Sequence, residues 1–152
     1  MPRGRCHFAL SYCLHERLRD ERPEVAGLID RHLPDYLAGT VAPDGLRLVG
    51  KMGKLATHFY AEDLEETWGR AVEGMFGAHP ELAHPGRLSE RDRVLIIGYV
   101  SHLSADEAFR NEITCHVYGV EDWRPVIQGL WSMVDELPTG YPGILRAMDG
   151  FR

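Results

Sequence analysis

Hydrophobic residues recur at helical spacing along most of the chain. In the first segment, about His7 to Asp20, leucines recur at every fourth position on one stripe. Pro23 suits the first turn of a second helix, which Pro34 is expected to bend or end. Alternation with period two is limited to short pieces such as "LRLV". The pattern therefore predicts an all-α, bundle-like fold.

The later segments continue this pattern around one long central helix. A third helix is predicted over about Ala61 to Phe76, and a last helix over about Pro125 to Glu136. The longest predicted helix runs from Glu90 to His116, with Ser89 as its N-cap. The stretch "AGTVAPDGLRLVGKMGK", at positions 38–54, is rich in glycine and proline and is predicted to be a loop.

Composition narrows the class of protein. A chain of 152 residues is expected to form one domain, residues 1–152. Its net charge of −6, with no cluster of lysine and arginine, makes nucleic acid an unexpected partner. No apolar run reaches the roughly 18 residues that a membrane span needs, and the N-terminus lacks the layout of a signal peptide. Three cysteines without CxxC spacing are typical of a reducing cytoplasm, where we expect the protein.

The long predicted helix carries two ionisable residues in an apolar setting. His102 and Asp106 follow "RVLIIGYV", and at about 100° per residue they lie about 40° apart on the helix. Tyr99 and Phe109 share that face, which should point into the core. Burying ionisable groups costs free energy unless they have partners. The pair therefore indicates either a buried His–Asp hydrogen bond or half of a metal site, since both side chains bind Zn²⁺ or Fe²⁺.

Other candidate ligands lie elsewhere in the chain. Asp44 follows a proline in "APDG", His58 lies in "ATHFY", and His7 lies in an apolar first turn. Each has a simpler interpretation by itself, Asp44 as a turn residue and each histidine as a core or surface residue. A general base is not evident, because Glu107 points about 100° away from Asp106 and is expected to face solvent. It is the combination of these candidates, in this order along the chain, that indicates a shared metal site.

The segments "CHFAL", "LAGTVAPDG", "LATHFY" and "IIGYVSHLSADEAFRNEI" resemble the zinc-dependent phospholipase C family in its short bacterial form. The resemblance covers about residues 5–118 and implies an all-helical fold that binds zinc between its helices. It implies that one metal ion is surrounded by Asp44, His58, His102 and Asp106. It also implies that His7 lies nearby and can bind a second ion, bridged by Asp106.

The chain departs from this family at several ligands. The secreted members build a three-zinc cluster, using an N-terminal tryptophan, a later histidine and a His-x-x-x-Glu pair. This chain begins Met-Pro-Arg, and beyond Asp106 it has the reverse order, Glu112 followed by His116. Those two residues are candidates for a partial second site, although they lie off the face of His102 and Asp106. We therefore expect one zinc ion, or two at most, with iron or manganese as alternatives.

The predicted metal site suits hydrolysis. A metal held by two histidines and two aspartates, with an open position, lowers the pKa of bound water and polarises a phosphoryl oxygen. The chain is therefore predicted to be a metal-dependent hydrolase of a small phosphoester. Two alternatives stay open: an enzyme of specialised metabolism that catalyses a non-hydrolytic step on the same scaffold, and a non-catalytic, metal-stabilised binding domain. The oligomeric state is open in each case.

Overall fold

The computed structural model describes residues 4–61, 65–117 and 121–136. These residues form helices joined by short turns, which confirms the predicted all-α fold with a long helix packed against its neighbours. In the described ranges, no helix is both long and apolar enough to cross a membrane. The helices are α1 (Gly4–Glu21), α2 (Pro23–Arg31), α3 (Leu33–Leu48), α4 (Lys54–His58), α5 (Ala71–Ala78), α6 (Glu90–Phe109), α7 (Cys115–Val117) and α8 (Trp123–Glu136).

The long predicted helix is α6 and its continuation. It begins at the predicted N-cap Ser89, whose hydroxyl accepts a hydrogen bond from the backbone N–H of Asp92. After Phe109 the chain passes through a π-helical turn, Arg110–Thr114, into α7. Turns of this kind inside helices are frequent at functional sites. Here the turn follows directly on the part of α6 that carries the candidate metal ligands.

The prediction of a loop over positions 38–54 is wrong for most of its length, because α3 continues to Leu48 and a loop is found only at positions 49–53. Pro43 lies inside α3, where it cannot donate a hydrogen bond to the carbonyl of Gly39. Local propensity therefore disfavours this helix. Its long contact with α6 supplies the stabilisation, since Tyr36 and Thr40 are completely buried there.

The predicted third helix is also partly wrong. The chain forms a short 3-10 turn first, and α5 begins only at Ala71. Gly69 has a φ of 68°, a left-handed conformation that a continuous helix does not accommodate. The indole N–H of Trp68 donates to the carbonyl of Ala61 and fastens the turn. Hydrophobic spacing does not reveal such a side-chain bond to the backbone.

Two glycines let the backbones of α3 and α6 touch. A Cβ atom at Gly39 would clash with the carbonyl oxygen of Leu95, and one at Gly98 would clash with that of Tyr36. Only glycine permits this approach. The contact brings the next turn of α3 close to the next turn of α6, and these turns carry the candidate site.

Candidate metal centre

The candidate ligands named from the sequence meet between four helices. All of them are buried except Asp44, whose side chain is 27% exposed. Residues far apart in the chain converge here because α1, α3 and α4 all pack around α6. The converging residues are His7 on α1, Asp44 on α3, His58 on α4, and His102 and Asp106 on α6.

The carboxylate of Asp106 lies among three imidazole rings. Its Oδ1 is 3.5 Å from His7 Nε2, and its Oδ2 is 3.7 Å from His58 Nε2 and 3.6 Å from His102 Nε2. Asp106 is 1% exposed, and neither of its oxygens has a hydrogen-bond partner among the described residues. Burial raises its pKa to about 8. A carboxylate in this position is either protonated or held next to a cation.

The protonation of His102 follows from its second nitrogen. Nδ1 lies 2.8 Å from the carbonyl oxygen of Thr40. A carbonyl only accepts, so Nδ1 carries the proton and donates it. Burial lowers the pKa of His102 to about 4, so the ring is neutral near pH 7. The lone pair of Nε2 therefore points towards Asp106 and His58.

His58 is held in the same tautomer by its neighbour in sequence. Its Nδ1 lies 2.8 Å from the Thr57 hydroxyl, which lies 3.3 Å from the carbonyl of Gly53. Because the hydroxyl donates to that carbonyl, it accepts from Nδ1, and Nε2 keeps a lone pair. The Nε2 atoms of His58 and His102 are 3.3 Å apart. Histidines that bind metals commonly donate their other N–H to such an oxygen.

Asp44 completes the cluster from the solvent side. Its Oδ1 is 3.4 Å from His58 Nε2. Burial raises the pKa of Asp44, but its interactions with His58 and the other nearby histidines outweigh burial and lower it. Asp44 is therefore charged near pH 7. Either a proton or a metal ion must lie between this carboxylate and the His58 nitrogen, and the Thr57 contact favours the metal.

The spacing of the ligand atoms suits a small ion. They fall into two groups, and within each group the atoms lie within 4.8 Å of one another. Ligands about 2.0–2.1 Å from a tetrahedral zinc ion are about 3.3 Å from each other. The described residues therefore contain two overlapping candidate ligand sets, which have His102 in common. The groups are His7, Asp44 and His102, and His58, His102 and Asp106.

The other residues considered from the sequence lie outside this cluster. Glu112 and His116 are exposed and belong to neither ligand group. Glu107 does not simply face solvent, as the helical spacing suggested. Its carboxylate accepts hydrogen bonds from the backbone N–H groups of Ala71 and Val72, and so caps the N-terminus of α5.

Several groups that surround the ligands were not predicted from the sequence. A cavity of about 160 Å³ opens beside Asp106, and Arg110 is among its lining residues. Arg110 follows Asp106 by four positions, a helical spacing that places both on one face and could have identified it. Thr57 could have been found as a hydroxyl next to His58. Thr40 could not, because it acts through its backbone carbonyl.

Comparisons with known proteins give no match: no family profile, no curated protein and no solved structure corresponds to this chain. Function is therefore inferred from the side chains. They include buried histidine and aspartate groups at a spacing that could hold a metal ion.

Proposed function

We propose that the protein is a zinc-dependent hydrolase of a small phosphoester, related to the zinc-dependent phospholipase C family. The observation that supports this most strongly is the environment of Asp106. Its buried carboxylate has no hydrogen-bond partner among the described residues and faces three imidazole rings. A divalent cation among these groups removes the repulsion between the lone pairs and neutralises the carboxylate.

The proposed ion would be held by Asp44, His58, His102 and Asp106. Two neutral imidazoles and two carboxylates balance the two charges of Zn²⁺, which suits a buried site. This mixed nitrogen and oxygen set also accepts Fe²⁺ or Mn²⁺. A second ion, if present, takes His7 as a ligand, because Asp106 presents one oxygen to His7 and the other to His58 and His102.

The chain's own groups prepare the site for this chemistry. When bound, zinc supplies Lewis acidity towards a phosphoryl oxygen and lowers the pKa of coordinated water. Thr40 and Thr57 fix the tautomers of His102 and His58, so that both Nε2 atoms face the ion. The cavity beside Asp106 gives a small substrate access to the same place.

The test is a panel of phosphomonoesters and phosphodiesters, assayed with zinc, manganese and iron. We expect metal-dependent turnover by the wild type and a loss of about 100-fold or more in His58→Ala, because a ligand to the catalytic ion is removed. His84→Ala is the matched control, since His84 is exposed and outside both ligand groups. If no ester is turned over faster than by His58→Ala, the hydrolase proposal fails and a non-hydrolytic role is favoured.

A further inference from the structure

The cavity beside Asp106 is lined by positive charge. It lies between α4, the π-helical turn and α8. Asp106 is the only carboxylate among its described lining residues. Three cationic side chains border it, Lys54, Arg110 and Arg124.

This local charge is opposite to that of the chain. The protein carries a net charge of −6, with 23 acidic and 17 basic residues. A divalent ion would neutralise Asp44 and Asp106, so the described side chains that line the cavity would then contribute only positive charge. Such a wall attracts an anion and repels a ligand with a cationic group.

Aromatic rings hold two of these cations beside the cavity. The Lys54 ammonium lies 4.3 Å from the centre of the Tyr60 ring, and the Arg110 guanidinium lies 5.4 Å from it. Arg110 also lies 3.6 Å from the ring of Trp68. Cation–π contacts of this kind favour a position of the charge close to the ring. Both cations therefore lie beside the cavity that Asp106 borders.

The cavity offers a further donor and flat walls. Trp131 borders it, and the indole N–H of Trp131 is buried without a hydrogen-bond partner among the described residues. Tyr60 and Trp123 add aromatic surface. The volume of about 160 Å³ is close to that of a cavity that takes up benzene, about 150 Å³. The space therefore fits one planar ring.

We infer that the substrate is a phosphomonoester dianion of a small planar alcohol, such as an aryl phosphate, with the phosphoryl oxygens bound by Arg110 and Arg124. This inference rests on the proposed hydrolase function. In the reaction, the oxygen of water forms a new bond to phosphorus while the bond from phosphorus to the aryl oxygen breaks. One proton of that water passes to the aryl oxygen, giving the free phenol and hydrogen phosphate.

The kinetic test compares 4-nitrophenyl phosphate with 4-nitrophenylphosphorylcholine on the zinc-loaded protein. We expect kcat/KM to be about tenfold or more higher for the monoester, because the diester brings a cation to a cationic wall. Arg124→Gln should lower kcat/KM for the monoester about tenfold, through KM, since a charge-assisted hydrogen bond is lost. Arg124 is exposed and contacts the ring of Trp123, so the loss of its charge should leave the fold intact. The exposed Arg87, outside the cavity, gives the matched control Arg87→Gln.

A binding test separates this inference from the hydrolase proposal. Phenylphosphonate, which is not hydrolysed, and phosphorylcholine are titrated into the zinc-loaded protein by calorimetry. Tighter binding of phenylphosphonate, weakened about tenfold by Arg124→Gln but not by Arg87→Gln, supports the inference even if no ester is turned over. Turnover of the choline diester as fast as that of the monoester overturns the inference and leaves the hydrolase proposal standing. Absence of both phenylphosphonate binding and turnover overturns both.

Discussion

The Nε2 atoms of His58 and His102 lie 3.3 Å apart in the interior. His102 donates its Nδ1–H to the Thr40 carbonyl, and His58 Nδ1 lies 2.8 Å from the Thr57 hydroxyl, so the Nδ1 atoms of both rings have partners elsewhere. A simple hydrogen bond between His102 and Asp106 does not fit either, because the 3.6 Å separation of Nε2 and Oδ2 is too long. A cation among these atoms accounts for all three contacts.

Asp106→Asn should weaken zinc binding more than Asp44→Asn does. Asp106 is buried and contacts three imidazoles, whereas the Asp44 side chain is 27% exposed and water can replace it. We expect losses of about 100-fold and about tenfold in affinity, respectively. Competition with a chelator measures the affinities, and circular dichroism checks folding. Equal affinity of Asp106→Asn and wild type would show that Asp106 is not a ligand.

Thr57→Val should reduce zinc affinity about tenfold, because His58 loses the acceptor that fixes its tautomer. Thr57→Ser keeps the hydroxyl and should bind zinc nearly as tightly as the wild type. The pair is compared in the same chelator competition. If Thr57→Val and Thr57→Ser bind zinc with the same affinity, the hydroxyl does not orient the His58 ring.

Zinc affinity should rise with pH and then level off. In the metal-free protein the pKa of Asp106 is about 8 and that of His102 is about 4. Between pH 5 and 8 zinc must displace one proton from Asp106, so affinity should increase about tenfold per pH unit in this window. Titrations at several pH values measure the slope. A slope that is the same in Asp106→Asn would assign the released proton to another group.

Stability of the metal-free protein should fall above neutral pH. The folded pKa of Asp106, about 8, exceeds its unfolded value of about 3.9, so its contribution to the free energy of unfolding declines as pH rises through this interval. His102 has a folded pKa of about 4, below its unfolded value of about 6.5, so its contribution rises between those values. The contributions of Asp106 and His102 oppose each other below about pH 6.5. From there to about pH 8 the free energy of unfolding declines.

The Asp106→Asn variant should lack this decline in stability with rising pH. At pH 8 without metal, the variant should be about 1–3 kcal/mol more stable than the wild type, because no charge is buried. With zinc, the order should reverse. Urea unfolding at pH 6.5 and 8, with and without zinc, measures both differences. A wild type that stays more stable than the variant without metal would show that Asp106 has another partner in the folded state.

Gly98→Ala should destabilise the protein by about 1–3 kcal/mol or more, because the new methyl group forces α3 and α6 apart. Gly129→Ala is the control: it lies in α8, and a Cβ there meets nothing within 4 Å. It should be stabilising by about 0.5–1 kcal/mol. Urea unfolding compares both variants with the wild type. A Gly98→Ala variant as stable as the wild type would show that the close contact of α3 and α6 tolerates a Cβ atom.

The sequence predicted those helices whose local preferences agree with their packing. α1, α6 and α8 follow hydrophobic spacing, and Ser89 marks where α6 begins. It failed for α3, because the contact with α6 through Gly39 outweighs the local effect of Pro43. Contacts between distant segments carry no signal in local spacing.

The sequence likewise predicted one part of the candidate site and missed another. Residue types and their order identified the candidate ligands, but Asp44 was expected on a loop and lies on a helix. The Thr40 contact is made by a backbone carbonyl, which any residue possesses, so residue identity does not encode it. The cationic cavity joins α4 to α8, and only the fold brings those segments together.

The metal content of protein purified without added metal tests the claim that these residues bind a transition-metal ion. Elemental analysis, followed by titration with zinc, should give about one transition-metal ion per chain, mostly zinc, and Asp106→Asn should retain much less. Wild-type protein that carries no metal and takes up none on titration would contradict the claim. The cluster of His58, His102 and Asp106 would then require a different partner.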